Sequence, residues 1–394
     1  MKRWTYIDYL ILFIFSFVVT VTIFTFIYPP TVRLDSSIYF FATKLAFFHL
    51  PLYPLLYAGA PFTYPPSIFL FFLPLLVLPS AFATSLWNFL SVIAVISSIL
   101  LILKLTRFSL KNPLVLLLLS ITLLLEPVRE TLLFGQNNSI VLFFIILSYF
   151  LSKKESSSSG LWSGVALGIA ASLKVFPLFL LFYFLIKKDW VTVFTTIVVF
   201  IFFLLAGTFG QFNYLFYYLK FAGVVITPNI ASNSDQSLYS LIMLYLPFLK
   251  NFQPYVSITI YFTFLSICYI NWRESKLDFV FFTEILAGTV LLITPLAWVH
   301  HLVFLIPLSL VLFLKSLKSR KIKNIACSLG FFVVIFINGQ DVILLLQKAG
   351  LPIFSLLYFH ALLGLGFLIL WQFVAKYRIF HTIPIDKGKK GVLN

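Results

Sequence analysis

The chain has 394 residues, of which only 28 Lys/Arg and 12 Asp/Glu are charged, a tenth of the total where an ordinary soluble domain has about a quarter. With 61% apolar residues and 49 Phe there are too few polar side chains to cover a water-facing surface; this excludes a soluble globule and points to a polytopic membrane protein. The formal charge of +16 does not form a nucleic-acid face, because the basic residues sit in short clusters between apolar runs, the pattern that sets topology. Cys268 and Cys327 each lie inside an apolar run, so neither a disulfide framework nor a cysteine-ligated metal is expected.

Apolar runs follow one another near residues 8–28, 66–79, 83–103, 113–127, 138–151, 161–174, 175–186, 190–207, 237–249, 255–272, 279–296, 302–314, 325–346 and 354–375. The first, behind Met1-Lys2-Arg3, has no small-residue cleavage site before Pro29-Pro30 and reads as a retained span. A helix needs about 20 residues to cross a bilayer, so the shorter runs suit tilted or re-entrant pieces. Charge arbitrates among them. If 66–79 and 237–249 enter without crossing and the other twelve cross, both termini are cytoplasmic. Lys153–Lys154, Lys187–Lys188 and the clusters at 315–323 and 376–390 then all face inward, leaving Arg33, Lys44, Arg129, Lys174, Lys220, Lys250 and Lys348 outside. The region 161–186 must then be a short hairpin turning near Lys174 and Pro177. The expected fold is all-α: a polytopic integral membrane protein of about 12 transmembrane helices plus short re-entrant or interfacial helices. Residues 1–375 form one module with 29–65 as an outer loop; 376–394 form a basic cytoplasmic tail drawn to anionic lipids.

This topology gathers most of the uncommon polar groups on the outer side: Asp35, Glu126, Arg129, Glu130, Gln136, Asn138, Lys174, Asp235, Gln236, His300 and His301. An aqueous site at the outer face of a cell membrane follows. Arg33-Leu34-Asp35-Ser36-Ser37-Ile38-Tyr39 follows the first run, and Phe62-Thr63-Tyr64-Pro65-Pro66 leads into the second. A carboxylate just after the first span, followed by Tyr-Pro-Pro, resembles the C-type glycosyltransferases, integral membrane enzymes that use lipid-phosphate sugars. Gly135-Gln136-Asn137-Asn138, then Gly168 with Lys174 and Pro177, then Pro295-Leu296-Ala297-Trp298-Val299-His300-His301 narrow the resemblance to glycosyltransferase family 87, the polyprenyl-phosphate-mannose-dependent mannosyltransferases. Two positions depart from that pattern. No Gly precedes Leu52-Tyr53, and Asp235-Gln236-Ser237 stands where the family has Asn-Gln-Ser. The resemblance implies a C-type glycosyltransferase fold and inverting transfer of a hexose, mannose, from a polyprenyl-phosphate sugar to a lipid or glycan acceptor. It also implies that the acidic residue after the first span is the catalytic carboxylate.

The residues suggest roles of their own. Transfer from a lipid phosphate to a hydroxyl needs a base for the hydroxyl proton and positive groups for the departing phosphate. Asp35 is the candidate base, its pKa raised if Tyr39 and Tyr64 desolvate it; the other reading is that it caps an interfacial helix with Ser36 and Ser37. For the donor phosphate the candidates are Lys174, His300, His301, Arg129 and Arg33. Lys174, an ammonium within an apolar hairpin, either meets an anion or snorkels to the headgroups. The two histidines either donate to phosphate or orient the base, since a metal needs more ligands than two neighbours supply. Neither metal nor cofactor is expected, the lipid-phosphate sugar being a substrate. Tyr39, Tyr64, Gln136, Asn138, Asp235, Gln236 and Trp298 are the candidates for sugar or acceptor contacts. Trp298 reads equally as an aromatic-belt residue, and Gln136 and Asn138 equally as helix caps. Arg129 with Glu126 and Glu130 reads as an ion-pair cluster, Glu284 as a buried paired group, and Asn338, Gln340 and Asp341 have no assigned role. Membrane lipids, donor and acceptor are the expected partners. The rival reading is a secondary transporter or lipid-linked sugar flippase, which predicts inverted repeats and polar groups at mid-membrane. No internal repeat is evident.

Overall fold

The computed structural model describes residues 5–28, 30–31, 33–52, 56–57, 60–62, 64–225, 235, 237–294 and 297–319, with isolated positions at 322, 325, 328–329 and 348–350. The last apolar run and most of the one before it, the basic tail, Gln236, Cys327, Asn338, Gln340 and Asp341 lie outside these residues.

The described chain is helical apart from one two-residue strand pair. Helix α1 (Tyr6–Phe26) opens on a reciprocal capping box of Thr5 and Asp8. Helix α2 (Leu34–Phe47) follows, then β1 (Leu56–Tyr57) paired antiparallel with β2 (Ala60–Pro61). The segment 29–65, read from sequence as an outer loop, thus carries a 14-residue helix and a short strand pair. Helix α3 (Ile68–Phe72) runs into a 3-10 turn ending at Val77, and α4 (Ser80–Leu105) is the longest element of the first half. Next come α5 (Leu114–Leu124), α6 (Glu126–Phe134), α7 (Asn138–Ser152) and α8 (Ser159–Leu173). After a 3-10 turn (Phe176–Leu180) stand α9 (Leu181–Ile186), α10 (Trp190–Ala206), α11 (Asn213–Val225) and α12 (Leu238–Tyr245). The last described helices are α13 (Gln253–Ser275), α14 (Asp278–Gly288) and α15 (Ile306–Ser319).

Among the described residues, four helical stretches are long and apolar enough to cross a membrane: Tyr6–Phe26, Ser80–Leu105, Pro247–Ser275 and Val299–Lys318. Six others, among them α7, α8 and α10, are apolar but only 10–17 residues long. Proline explains several of the breaks. Pro127 stands in the first turn of α6 and Pro177 in the turn after α8, where a missing N–H and a fixed φ end the preceding helix.

Helices α7 and α8 lie side by side and antiparallel, joined midway by the hydroxyls of Ser148 and Ser163 at 3.1 Å. Helix α10 presses on α8 so closely that a Cβ at Gly164 would stand 2.6 Å from that of Thr195. This small-residue contact brings two backbones together in the way lipid-embedded helices pack. Where α7 and α8 meet the Lys-rich loops, Lys153 and Lys187 pair with Asp278 at 2.9 and 3.3 Å, and Trp272 Nε1 donates to the same carboxylate at 2.6 Å. On α14, Glu284 is buried and within electrostatic reach of Lys315 on α15. Cys268 is buried and forms no disulfide among the described residues.

Candidate functional site

The opposite ends of α7 and α8 bring together residues scattered along the chain. Helix α6 stops at Gly135, whose φ of 70° is the left-handed conformation that glycine adopts without a steric penalty. A Cβ there would fall 2.3 Å from Ser36 Oγ, so the absent side chain lets the turn lie directly on the first turn of α2. The next residue, Gln136, thereby reaches Asp35: its Nε2 donates to Asp35 Oδ2 at 2.7 Å. The amide oxygen of Gln136 accepts from the phenols of Tyr39 at 3.1 Å and Tyr64 at 3.0 Å, and the two rings meet edge to face at 4.7 Å.

Asp35 is not the cap of α2. The N-cap position is Arg33, with no side-chain capping bond, and it is Ser37 that donates back to the Arg33 carbonyl, at 2.5 Å. The carboxylate instead faces across to the α6–α7 turn. Gln136 and Asn138 likewise do not cap α7: the N-cap is Asn137, again without a side-chain capping bond.

A second half of the network starts one residue later. Asn137 Nδ2 donates to the Leu173 carbonyl at 2.9 Å, fastening the start of α7 to the end of α8. Lys174, extended at the C-cap of α8, turns inward, and its Nζ donates to Asn138 Oδ1 at 2.5 Å. Asn138 is fully buried, and its Nδ2 donates to the His300 carbonyl at 3.0 Å, which Thr131 Oγ1 also approaches at 3.3 Å. The imidazole of His300 is 9% exposed, with Nδ1 3.9 Å from Glu130 Oε2 and Nε2 lacking a hydrogen-bond partner among the described residues. The ring of His301 stands edge-on to it at 4.6 Å. The Tyr64-Pro65-Pro66 stretch closes on the same end: Ser67 Oγ donates to the Ser172 carbonyl at 2.6 Å.

The electrostatics match the geometry. Burial pushes the Asp35 carboxyl up to about 6, against the opposing pull of the Gln136 bond and the Lys174 charge. Burial pulls Lys174 down to about 7, opposed by Asp35. Both phenols are raised by burial and stay protonated donors. Glu130 is raised by burial, partly offset by the His300 backbone N–H that it accepts.

Asp35, Tyr39, Tyr64, Gln136, Asn138, Lys174 and His300 thus form one connected array with His301 beside it. The remaining candidates stand apart from it. Arg33 turns to α1, its Nη2 donating to the Thr25 carbonyl at 3.0 Å. Arg129 is exposed on α6 and outside the array, while Glu130 of the expected Glu126–Arg129–Glu130 cluster approaches His300. Asp235 is fully buried and accepts hydrogen bonds from Ser237, Ser240 and the Ala297 N–H, the last at 2.6 Å. Trp298 is half-buried and bridges to Asp235 through the backbone. Asn137, Thr131 and Glu130 were not marked from sequence as site residues. Asn137 sits inside the Gly-Gln-Asn-Asn run, which was the available signal; Thr131 carries none.

The array has what proton abstraction beside an anion needs: a carboxylate of raised pKa, a cation held on the other amide, and a buried imidazole edge. A family model described as Glycosyltransferase family 87 matches residues 62–295, more than half of the chain. Asp35 and His300 fall outside that span, yet they bond to Gln136 and Asn138 within it. Comparison with curated proteins finds no match.

Proposed function

Since the chain belongs to glycosyltransferase family 87 and is a membrane glycosyltransferase, we propose that it transfers a hexose, mannose, from a polyprenyl-phosphate sugar to a lipid or glycan hydroxyl at the outer membrane face. One observation carries the reading. Asp35 and Lys174, opposite charges from distant segments, are each held by an amide of the Gly-Gln-Asn-Asn turn at a single end of α7 and α8.

In this reaction the acceptor oxygen attacks the anomeric carbon while Asp35 takes its proton. The bond from that carbon to the phosphate oxygen breaks, its electron pair leaving with the polyprenyl phosphate. Attack opposite the leaving group inverts the anomeric centre. Gln136 occupies Asp35 Oδ2 and leaves Oδ1 for the proton. Lys174 offsets the charge that gathers on the phosphate, and His300 Nε2, which has no hydrogen-bond partner among the described residues, and His301 are the further candidate donors to it. Tyr39, Tyr64 and Gln136 hold the base in orientation. Trp298 is the candidate platform for a sugar ring.

The topology that fits has the Lys153–Asp278–Lys187 end in the cytoplasm, both termini inside, and the Asp35 end outside. Full-length protein in liposomes with radiolabelled polyprenyl-phosphate mannose and membrane lipid acceptors tests the function. Label should pass to a lipid product; its absence with every acceptor offered would count against the transferase reading. Asp35→Asn should lower the rate by about 10²–10⁴-fold, the usual worth of a general base. An undiminished rate would remove Asp35 from that role.

A further inference from the structure

The stretch 297–305 carries the histidines: His300 and His301 lie in the first turn of a 3-10 helix (Val299–Leu305), and a π turn (Thr289–Ile293) stands before it. Side chains from elsewhere tie it down at two points. One is the His300 carbonyl, held by Asn138 and Thr131. The other is Ala297–Trp298, held by Asp235.

Asp235 pairs with Trp298 as an isolated antiparallel bridge, and its side chain is 0% exposed. Its Oδ1 accepts the backbone N–H groups of Ala297 at 2.6 Å and Ser237 at 3.1 Å. Its Oδ2 accepts the hydroxyls of Ser237 at 3.1 Å and Ser240 at 2.5 Å. A carboxylate offers about four lone-pair positions, and here four protein donors meet them. No position is left for a substrate hydroxyl. Three of the four bonds come from the start of α12, where Ser237 is the N-cap, and the fourth comes from the histidine-bearing segment.

We propose that Asp235 is a positioning residue: it fastens the start of α12 to Ala297–Trp298, and so sets His300 and His301 against the donor phosphate without touching the acceptor. This deepens the transferase reading and rests on it. The chemistry of the clasp separates the two roles for Asp235. An Asn there keeps a carbonyl oxygen for the two backbone N–H groups, and its NH2 can donate to the two serine hydroxyls, which accept as readily as they donate. The clasp therefore needs shape and not charge, whereas an acceptor base or a charge-dependent contact needs the carboxylate.

The test compares Asp235→Asn, Asp235→Ala and the double variant Ser237→Ala/Ser240→Ala in the full chain, with Asp35 intact. Asp235→Asn should keep kcat/KM for the donor within about threefold. Asp235→Ala should lose about tenfold or more, with acceptor KM unchanged, the signature of misplaced transition-state contacts. The double variant, which keeps the Ala297 bond, should fall between them and stands in for Asp235→Ala if that protein does not fold. A readout free of turnover accompanies the kinetics. With 5-fluorotryptophan incorporated, the 19F resonance that disappears in Trp298→Phe should stay in place in Asp235→Asn and shift or broaden in Asp235→Ala. The proposal is overturned if Asp235→Asn is as impaired as Asp235→Ala, or if the Trp298 resonance is unmoved in Asp235→Ala. A wild type inactive on every donor would sink the transferase reading while leaving the 19F comparison to decide the clasp.

Discussion

Asp35 and Lys174 bind protons over adjoining ranges of pH, and this predicts a narrow working window. Burial raises the carboxyl to about 6, so below that value it is protonated and cannot accept the hydroxyl proton. Burial lowers the ammonium to about 7, so above that value it is neutral and no longer draws the phosphate. The profile of kcat/KM, which reports the free enzyme, should rise with pH through about 6 and fall through about 7. Lys174→Gln should abolish the alkaline limb. It should also move the acid limb to higher pH, because a cation that holds the Asp35 value down is gone; an acid limb that stays put would mean the two groups are not coupled. At this scale the sequence was readable where an ionisable group stands out from apolar neighbours. Asp35 and Lys174 both did, but the amides that hold them did not, since Gln136 and Asn138 read equally as caps until their partners are seen across the fold.

Among the elements, the α6–α7 turn depends most on a single residue. Replacing Gly135 by Ala forces a side chain into a left-handed backbone and onto Ser36 Oγ. The conformational part alone costs about 1–2 kcal/mol. Thermal unfolding of the detergent-solubilised protein should show the loss, and kcat should fall as Gln136 is pushed from Asp35. Unchanged stability together with unchanged rate would mean that the turn can relax away from α2. The all-helical character and the turn near Pro177 were legible from apolar runs and proline. Helix α2 was legible only as the alternative reading in which Asp35 caps an interfacial helix, and the reason is physical. Its inner face, Ser36, Tyr39, Thr43 and Ala46, is buried but polar or small, so hydrophobic periodicity, the main signal for a helix, is weak there. The lengths were also hidden: runs that look continuous are cut into helices of 10–17 residues by local caps and turns.

Across the whole molecule, the two polar ends of α7 face opposite ways, and the proposed topology predicts which solution each one meets. In a background with Cys268 and Cys327 replaced by Ala, a Cys at exposed Thr31 should react with an impermeant maleimide from outside intact cells. One at exposed Ser157 should react only after permeabilisation; the reverse pattern would invert the topology. Charge counting was enough to place Lys153 and Lys187 together, and they do converge on Asp278. It could not say that the site end would be assembled from α2, the α6–α7 turn, the end of α8 and the His300 segment, because those pairings are long-range. The separation of the ends has one more consequence. The 15 residues of α7 put about 22 Å between Asn138 and Lys153. In the proposed reaction, proton uptake by Asp35, phosphate release and sugar transfer all fall at one end, so no charge would travel that distance during turnover. A carrier moving one charge across the bilayer would gain or lose about 2.3 kcal/mol per 100 mV. Sugar transfer in proteoliposomes should instead run at the same rate whether a potassium gradient and valinomycin set the membrane voltage positive, negative or zero.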